Sequence, residues 1–155
     1  MSIEILKAGA EDIEAVYEIE RSIFSNPADI KQLEAMLNNP IYSIYTATAG
    51  GRITGYVIFY TVVDEAFIVS IAVSEEERGQ GTGGLLLDKC IYICRENDCA
   101  TLSLEVRKSN APAIRLYESR GFINCGGIKN YYEKPVEDAI IYTKYFEDNH
   151  ENSVF

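Results

Sequence analysis

Hydrophobic and polar positions along the chain follow two periods, one typical of helices and the other of strands. A short strand pattern covers Ile3 to Leu6. From Ala10 to Phe24 the apolar residues recur at helical spacing. A second, short helix is predicted from Asp29 to Leu37, and Asn38-Asn39-Pro40 ends it. The chain is therefore expected to open with one strand followed by two helices.

The middle of the chain has the two-residue period of strands. Residues 41–49 and 52–60 are rich in Tyr, Ile, Thr and Val, and Gly50-Gly51 between them predicts a β-hairpin. Ala66 to Val73 is the next predicted strand. A glycine-rich loop follows it and opens a long helix that runs to about Asn97.

The last third of the chain alternates between strand and helix. Thr101 to Val106 predicts a strand, and Asn110 to Ser119 predicts a helix that Asn110 caps. Two final strands are expected at about 122–132 and 138–146. This order of elements predicts an α/β fold with a single mixed, mostly antiparallel central sheet and helices on both faces.

Length and composition support one globular domain. The chain has 155 residues, of which 47% are hydrophobic and 25% are charged, and this composition excludes the disordered class. A chain of this size buries roughly two thirds of its unfolded surface, which is enough for a core. We expect a single domain over residues 1–146 and a frayed acidic and polar tail over 147–155.

The net charge and the amino-acid content restrict the classes of partner and ligand that the chain is expected to bind. The net charge of −10 argues against nucleic acid and favours a cationic partner. No apolar run reaches the roughly 18 residues of a membrane helix, and the N-terminus does not resemble a signal peptide, so we expect a cytoplasmic protein. No metal is expected, because His150 is the only histidine and the four cysteines lack ligand spacing. Cys90 and Cys94, one helical turn apart, are expected in the core.

The most distinctive segment is Arg78-Gly79-Gln80-Gly81-Thr82-Gly83-Gly84, which stands between a strand and a helix. Glycine costs conformational entropy, so four of them in six positions indicate that bare backbone is needed here. The first N–H groups of a helix have no intrahelical partner, and the positive end of the helix dipole attracts anions. The segment therefore predicts a pyrophosphate-binding loop.

Three kinds of phosphate loop are candidates for this segment. A nucleoside triphosphate loop requires Gly-Lys-Ser/Thr after the glycines, whereas Gly83-Gly84-Leu85 stands here. The dinucleotide fingerprint is met by Gly79, Gly81 and Gly84, and Glu105 follows at a suitable distance. Hairpin patterns on both sides of the loop disfavour that reading, because it requires repeated βαβ units.

The third kind of loop agrees with the chain over most of its length. Arg78-x-x-Gly81-x-Gly83 resembles the coenzyme A loop of the GNAT superfamily of N-acetyltransferases. Further blocks match this superfamily in order and spacing: Leu104-Glu105-Val106-Arg107, Ser109-Asn110, Ala113-Ile114, Leu116-Tyr117-Glu118 and Gly121-Phe122. Two last blocks are similar to the ribosomal-protein-alanine N-acetyltransferases: Asn130-Tyr131-Tyr132 and Asp138-Ala139-Ile140-Ile141.

The resemblance implies the GNAT fold and a binding site for acetyl-CoA. The strand before the loop is expected to splay from its neighbour and to pair with the pantetheine arm through backbone groups. The cofactor-binding residues implied are Ile71, Ala72, Val73, Arg78, Gly79, Gln80, Gly81, Thr82, Gly83, Gly84 and Asn110. A purely capping role remains the alternative for Asn110.

The resemblance also implies two catalytic residues, Glu105 as general base and Tyr117 as general acid. Acetyl transfer requires that the amine loses a proton, the oxyanion is stabilised and the departing thiolate is protonated or tolerated. Glu105 interrupts an apolar strand, where desolvation would raise its pKa, or it is an outward-facing strand residue. Tyr117 lies at helical spacing from Asn110 and Ile114, which suits a simple core aromatic as well.

The predicted acceptor-binding residues are Glu20, Tyr131 and Tyr132. Glu20 lies inside the apolar stripe of the first helix, where it either reaches water at the helix edge or faces a substrate groove. Ser25-Asn26-Pro27-Ala28 stands where the family typically has Pro-Trp, so the chain departs from the pattern in the region of the acceptor.

The expected activity is direct acetyl transfer in a ternary complex, because no cysteine stands at a matched catalytic position. The favoured acceptor is the basic N-terminal peptide, beginning with alanine, of a small-subunit ribosomal protein. A polyamine-like small amine is the second enzymatic possibility, and a non-catalytic acyl-CoA-binding module is the third.

Overall fold

The computed structural model describes residues 2–147 and contains a seven-stranded sheet with strand order β1-β2-β3-β4-β5-β7-β6. The strands are β1 Glu4–Lys7, β2 Tyr42–Ala49, β3 Arg52–Val62, β4 Glu65–Val73, β5 Thr101–Arg107, β6 Ile123–Tyr132 and β7 Glu137–Tyr145. The helices are α1 Ile13–Ile23, α2 Ile30–Leu37, α3 Thr82–Glu96 and α4 Ala111–Ser119. Short 3-10 turns at Ala10–Asp12 and Glu75–Glu77 precede α1 and the glycine loop.

Most neighbouring strands in the sheet run in opposite directions. The pairs β1–β2, β2–β3, β5–β7 and β6–β7 are antiparallel, whereas β4 and β5 are parallel. The predicted α/β class with a mixed, mostly antiparallel sheet is confirmed. The two predicted hairpin patterns are also present, as β2–β3 and β6–β7.

Two compact units are distinguished by their internal contacts. The first unit comprises the chain up to Tyr60 together with Ile68–Cys90, and the second comprises Thr61–Phe67 together with the chain from Ile91. The single domain over 1–146 stays a prediction. The tail expected to fray, 147–155, lies outside the described residues except for Glu147.

The core of the first unit is built from α1, α2 and the strands next to them. Val16 of α1 and Leu33 of α2 are fully buried with Ile58 of β3. The helix α2 starts where its sequence predicts, because the Asp29 side chain accepts the N–H of Gln32 at 2.8 Å. The Gln32 side chain accepts the Asp29 N–H in return, which completes a capping box.

In the second unit, β5 shows strict alternation. Leu102, Leu104 and Val106 are buried, while Glu105 between them is exposed on the opposite face. The next helix, α4, begins after Asn110, whose side chain accepts the N–H of Ala113 at 3.2 Å. The predicted cap is therefore confirmed.

The predicted glycine loop, Arg78 to Gly84, extends too far. The helix α3 begins at Thr82, so Gly83 and Gly84 belong to its first turn. Among the glycines of the loop, only Gly79 and Gly81 have a positive φ, each at +83°. Glycine is therefore required by backbone conformation at those two positions only.

The described cysteines divide by exposure. Cys90, Cys94 and Cys99 are buried and Cys125 is exposed, which confirms the core position expected for the first two. Within residues 2–147, no helix is both long and apolar enough to cross a membrane.

Candidate active site

The glycine loop and the start of α3 present backbone rather than side chains. A Cβ atom added at Gly79 or Gly81 would meet nothing within 4 Å, so both glycines face open space. The helix begins immediately afterwards at Thr82, whose side chain is buried, and its first N–H groups have no intrahelical acceptor. This cradle of positive-φ glycines and helix N–H groups fits an anionic group such as a diphosphate.

An ion pair supports the loop from the side. Arg52, the first residue of β3, forms a salt bridge with Glu77, whose side chain is largely buried. The second carboxylate oxygen of Glu77 accepts a hydrogen bond from Gln80 Nε2 at 3.4 Å. On the other side, Arg78 Nε donates to the carbonyl of Val73 at 3.4 Å. The loop is therefore attached both to the start of β3 and to the end of β4.

The strand β4 pairs with β5 for only part of its length. The parallel register covers Glu65–Phe67 opposite Thr101–Ser103, and β4 then continues over Ile68–Val73 without a partner from β5 among the described residues. The predicted coenzyme-pairing residues Ile71, Ala72 and Val73 lie in this continuation. Their backbone groups on that side are available to an added strand-like ligand.

Gly55 of β3 packs directly against this part of β4. A Cβ atom at Gly55 would lie 2.9 Å from the carbonyl oxygen of Ala72 and 3.1 Å from Leu86 Cδ1. Such a contact is too short to be accommodated without movement, and the atom in the way belongs to the backbone. Gly55 thus permits the close packing of the two strands.

For the variant Gly55→Ala, we expect coenzyme A affinity to fall about tenfold and stability to fall by about 1–3 kcal/mol, because β4 must shift. Gly127→Ala is the matched control, since its Cβ would lie 3.1 Å from the carbonyl of Ala139 in the second unit. Calorimetry with coenzyme A should show the affinity loss in the first variant alone. Equal affinity in both variants would contradict the role given to Ala72.

Glu105 is exposed on β5, so the expectation that burial would desolvate its carboxylate is wrong. Strand alternation decides this, because the buried face of β5 is occupied by Leu104 and Val106 on either side of Glu105. The carboxylate accepts a hydrogen bond from Tyr131 and, with partial burial, raises the pKa of that phenol to about 12. The outward-facing arrangement is therefore the correct one, and it brings Glu105 to a predicted acceptor residue.

Tyr131 and Tyr132 both lie near Glu105, although consecutive strand residues normally point to opposite faces. The register between β6 and β7 shifts between Ile128 and Tyr132, and Asn130 adopts a φ of +54°. This bulge redirects the side chains, and the two rings meet edge to face at 5.0 Å. Burial and the charge of Glu105 raise the pKa of Tyr132.

Tyr117 is buried in α4, with 6% of its surface exposed. Its ring lies 5.9 Å from that of Phe122 and 6.4 Å from that of Tyr142. Burial raises the pKa of its phenol to about 12. The phenol therefore retains its proton at neutral pH and can donate it to a ligand.

The interpretation of Glu20 as a helix-edge residue that reaches water is wrong, because only 6% of it is exposed. Its carboxylate accepts hydrogen bonds from the Tyr56 hydroxyl, the Ser70 hydroxyl at 2.9 Å and the Ala28 N–H at 3.0 Å. Burial, followed by the nearby carboxylate, raises the pKa of Tyr56. These donors replace the water that the carboxylate loses.

The predicted site residues fall into two groups. The glycine loop, the end of β4 and Glu20 belong to the first unit, and Asn110, Glu105 and the three tyrosines belong to the second. Sequence reasoning missed Gly55, Tyr56, Ser70 and Arg107. Tyr56 is a polar residue inside the apolar strand β3, and this position was a signal in the sequence. Its hydrogen-bond partner Glu20 could not be predicted from the sequence.

Fold, loop and strand carboxylate together define an acetyltransferase. The sequence profile of the acetyltransferase (GNAT) family matches residues 13–122, and the chain belongs to that family. It is accordingly an N-acetyltransferase, and members of the family use acetyl-CoA as the acetyl donor.

Named relatives cover most of the chain. The ribosomal protein bS18-alanine N-acetyltransferase of Escherichia coli K12 is 39% identical over 84% of this chain and 88% of its own length. The enzyme of that name from Haemophilus influenzae is 38% identical over 94% of this chain and 99% of its own length. The crystal structure of the ribosomal-protein-S18-alanine N-acetyltransferase from Escherichia coli superimposes with a TM-score of 0.90 at 35% identity, covering 97% of this chain and 98% of that one.

Proposed function

We propose that this enzyme transfers the acetyl group of acetyl-CoA to the N-terminal alanine of a small-subunit ribosomal protein of the bS18 type. The observation that carries the proposal is the meeting of Glu105 with Tyr131, within a chain 38–41% identical to relatives named for that reaction. A basic N-terminal peptide suits the net charge of −10. The proposed place of action is the cytoplasm, and no metal is needed.

In this proposal, the first unit binds the coenzyme. Backbone N–H groups over Gly79 to Gly84 bind the diphosphate, with Arg78 adding positive charge. Backbone groups of Ile71–Val73 hold the extended arm, because β4 has no β5 partner there. Asn110 of the second unit caps α4 and, in the family's manner, also contacts the coenzyme. The bound coenzyme supplies an acetyl thioester, which an uncharged amine attacks.

The second unit supplies the proton transfers. Glu105 removes the proton of the α-ammonium group, whose pKa near 8 makes this transfer inexpensive for a carboxylate. Tyr117 donates a hydrogen bond, and then its proton, to the sulfur that leaves. Its raised pKa supports the role of donor, since the phenol stays protonated at every physiological pH.

The acceptor is placed by Tyr131 and Tyr132, whose rings lie beside Glu105. Glu20 contributes indirectly. Its carboxylate already accepts three protein hydrogen bonds, and one of them fixes Ala28 in the segment that follows α1. We therefore assign Glu20 to the support of the acceptor site rather than to direct contact with the acceptor.

A peptide panel tests the acceptor. The enzyme is incubated with acetyl-CoA and a peptide beginning Ala-Arg, the same peptide with a blocked α-amine, and a polyamine. Free thiol release gives the rate, and mass spectrometry locates the acetyl group. We expect acetylation of the free α-amine only. Preference for the polyamine, or indifference to blocking, would remove the ribosomal acceptor.

A further inference from the structure

Arg107 has no part in the chemistry so far, although it belongs to the same strand as the proposed base. It follows Glu105 by two positions on β5, so the two side chains leave the strand on the same face. Its side chain is 25% exposed, which is low for an arginine on a strand at the surface. The contacts of this guanidinium explain why it is held so closely.

One side of the guanidinium holds the turn between β6 and β7. Its NH1 group donates to the carbonyl of Pro135 at 2.9 Å and to Glu137 Oε1 at 3.2 Å. Its NH2 group donates to the carbonyl of Glu133 at 2.9 Å. Two backbone carbonyls and a carboxylate are thus bound by one planar fork, which a lysine cannot reproduce with a single ammonium group.

The other contact of the guanidinium is with a predicted acceptor residue. Its central carbon lies 4.5 Å from the centre of the Tyr132 ring, within the range of a cation–π interaction. Tyr132 in turn packs edge to face against Tyr131, which donates a hydrogen bond to Glu105. The contacts therefore lead from Arg107 through Tyr132 and Tyr131 to Glu105, and both ends of this series lie on β5. Arg107 also holds the turn between β6 and β7.

We propose that Arg107 is a positioning residue for the acceptor: it fixes the 133–136 turn and the Tyr132 ring, so that Tyr131 and Glu105 meet the amine in one orientation. This inference rests on the proposed function. An ordinary ion pair with Glu137 would stabilise the fold without setting acceptor affinity, because a partly exposed pair contributes little. The two carbonyl contacts and the stacked ring distinguish positioning from such a pair.

Steady-state kinetics of Arg107→Lys and Arg107→Gln test the inference. We expect the KM for the Ala-Arg peptide to rise about tenfold or more in both variants, since lost positioning of this kind costs roughly 1–2 kcal/mol. Coenzyme A affinity, measured by calorimetry, should be unchanged. Glu137→Gln is the matched control, because it removes the ion pair but keeps both carbonyl contacts and the ring contact of Arg107, and its side-chain oxygen can still accept the Ser109 N–H. A normal peptide KM in Arg107→Lys would overturn the inference.

Proteolysis supplies a readout that needs no acceptor. A glutamyl endopeptidase cleaves after Glu133 only when the turn opens, so native Arg107→Lys and Arg107→Gln should be cut at this bond several-fold faster than the wild type. Glu137→Gln should be cut at close to the wild-type rate. If the wild type does not acetylate the peptide but the cleavage rates differ as expected, the proposed acceptor fails and the anchoring of the turn stands. Equal cleavage rates in all four proteins would overturn the anchoring.

Discussion

Glu105→Gln is expected to lower kcat about 100-fold at pH 7 while coenzyme A affinity stays at the wild-type value. Loss of a general base typically lowers the rate by a factor of this size, and the amide of glutamine cannot accept the proton of the ammonium group. The ratio of wild-type to variant rates should narrow towards pH 9, because an amine with a pKa near 8 is then mostly free of its proton. Initial rates of thiol release over pH 6–10 measure both effects.

Tyr117→Phe separates catalysis from packing in the same assay. Phenylalanine keeps the ring contacts with Phe122 and Tyr142, so a purely structural tyrosine would leave kcat unchanged. As a donor with a pKa raised to about 12, Tyr117 loses its proton only above that pH, and its contribution is present throughout pH 6–10. We therefore expect a lower kcat in the variant and no descending limb in the wild-type profile.

Glu65→Gln is the control for charge removal, because Glu65 is an exposed strand carboxylate that takes no part in the proposed reaction. It should turn over like the wild type. Normal turnover in both Glu105→Gln and Tyr117→Phe would refute the assigned roles, whatever the acceptor.

The second large effect is expected on stability, in Glu20→Gln. The amide can accept from the hydroxyls of Tyr56 and Ser70 through its oxygen, but it then points its NH₂ group at the Ala28 N–H. A buried donor left unpaired costs about 1–3 kcal/mol, and a charge-assisted bond is lost in addition. Urea denaturation should therefore show a loss of about 2–4 kcal/mol.

Glu18→Gln is the matched control on the same helix. Its side chain is 61% exposed and pairs with Arg21 one turn later, and such exposed pairs contribute little to stability. Glu20→Gln should also raise the peptide KM, because the segment after α1 loses the hydrogen bond that attaches its Ala28 to Glu20. Equal midpoints for the two variants would contradict a structural role for the buried carboxylate.

Much of the fold could be predicted because its signals are local. The caps Asp29 and Asn110 act within their own first turns, and Gly50-Gly51 closes its hairpin directly. The start of α3 was misplaced for a local reason as well. Gly83 and Gly84 resemble loop residues in composition, yet both adopt ordinary helical conformation once the helix has begun at Thr82.

The sequence indicated candidate residues for the site but not the contacts between them. The family motifs made Glu105, Tyr117, Tyr131 and Tyr132 candidate site residues, but alternation alone could not show that the carboxylate is exposed and bonded to a tyrosine. That contact depends on a bulge at Asn130, whose signal in the chain is only an asparagine between polar neighbours.

By itself, the amino-acid sequence determined the order of helices and strands, the glycine-rich loop and the family, since periodicity, caps and glycine conformation act over a few residues. The tertiary structure alone decided how the charged side chains are satisfied. Glu20 bonds to Ser70, 50 residues away, and Arg107 bonds to Pro135, 28 residues away. Packing of α1 on β4 brings Glu20 to Ser70, and strand pairing brings Arg107 to the turn before β7. A buried or half-buried charge then takes whichever donors or acceptors the packing supplies.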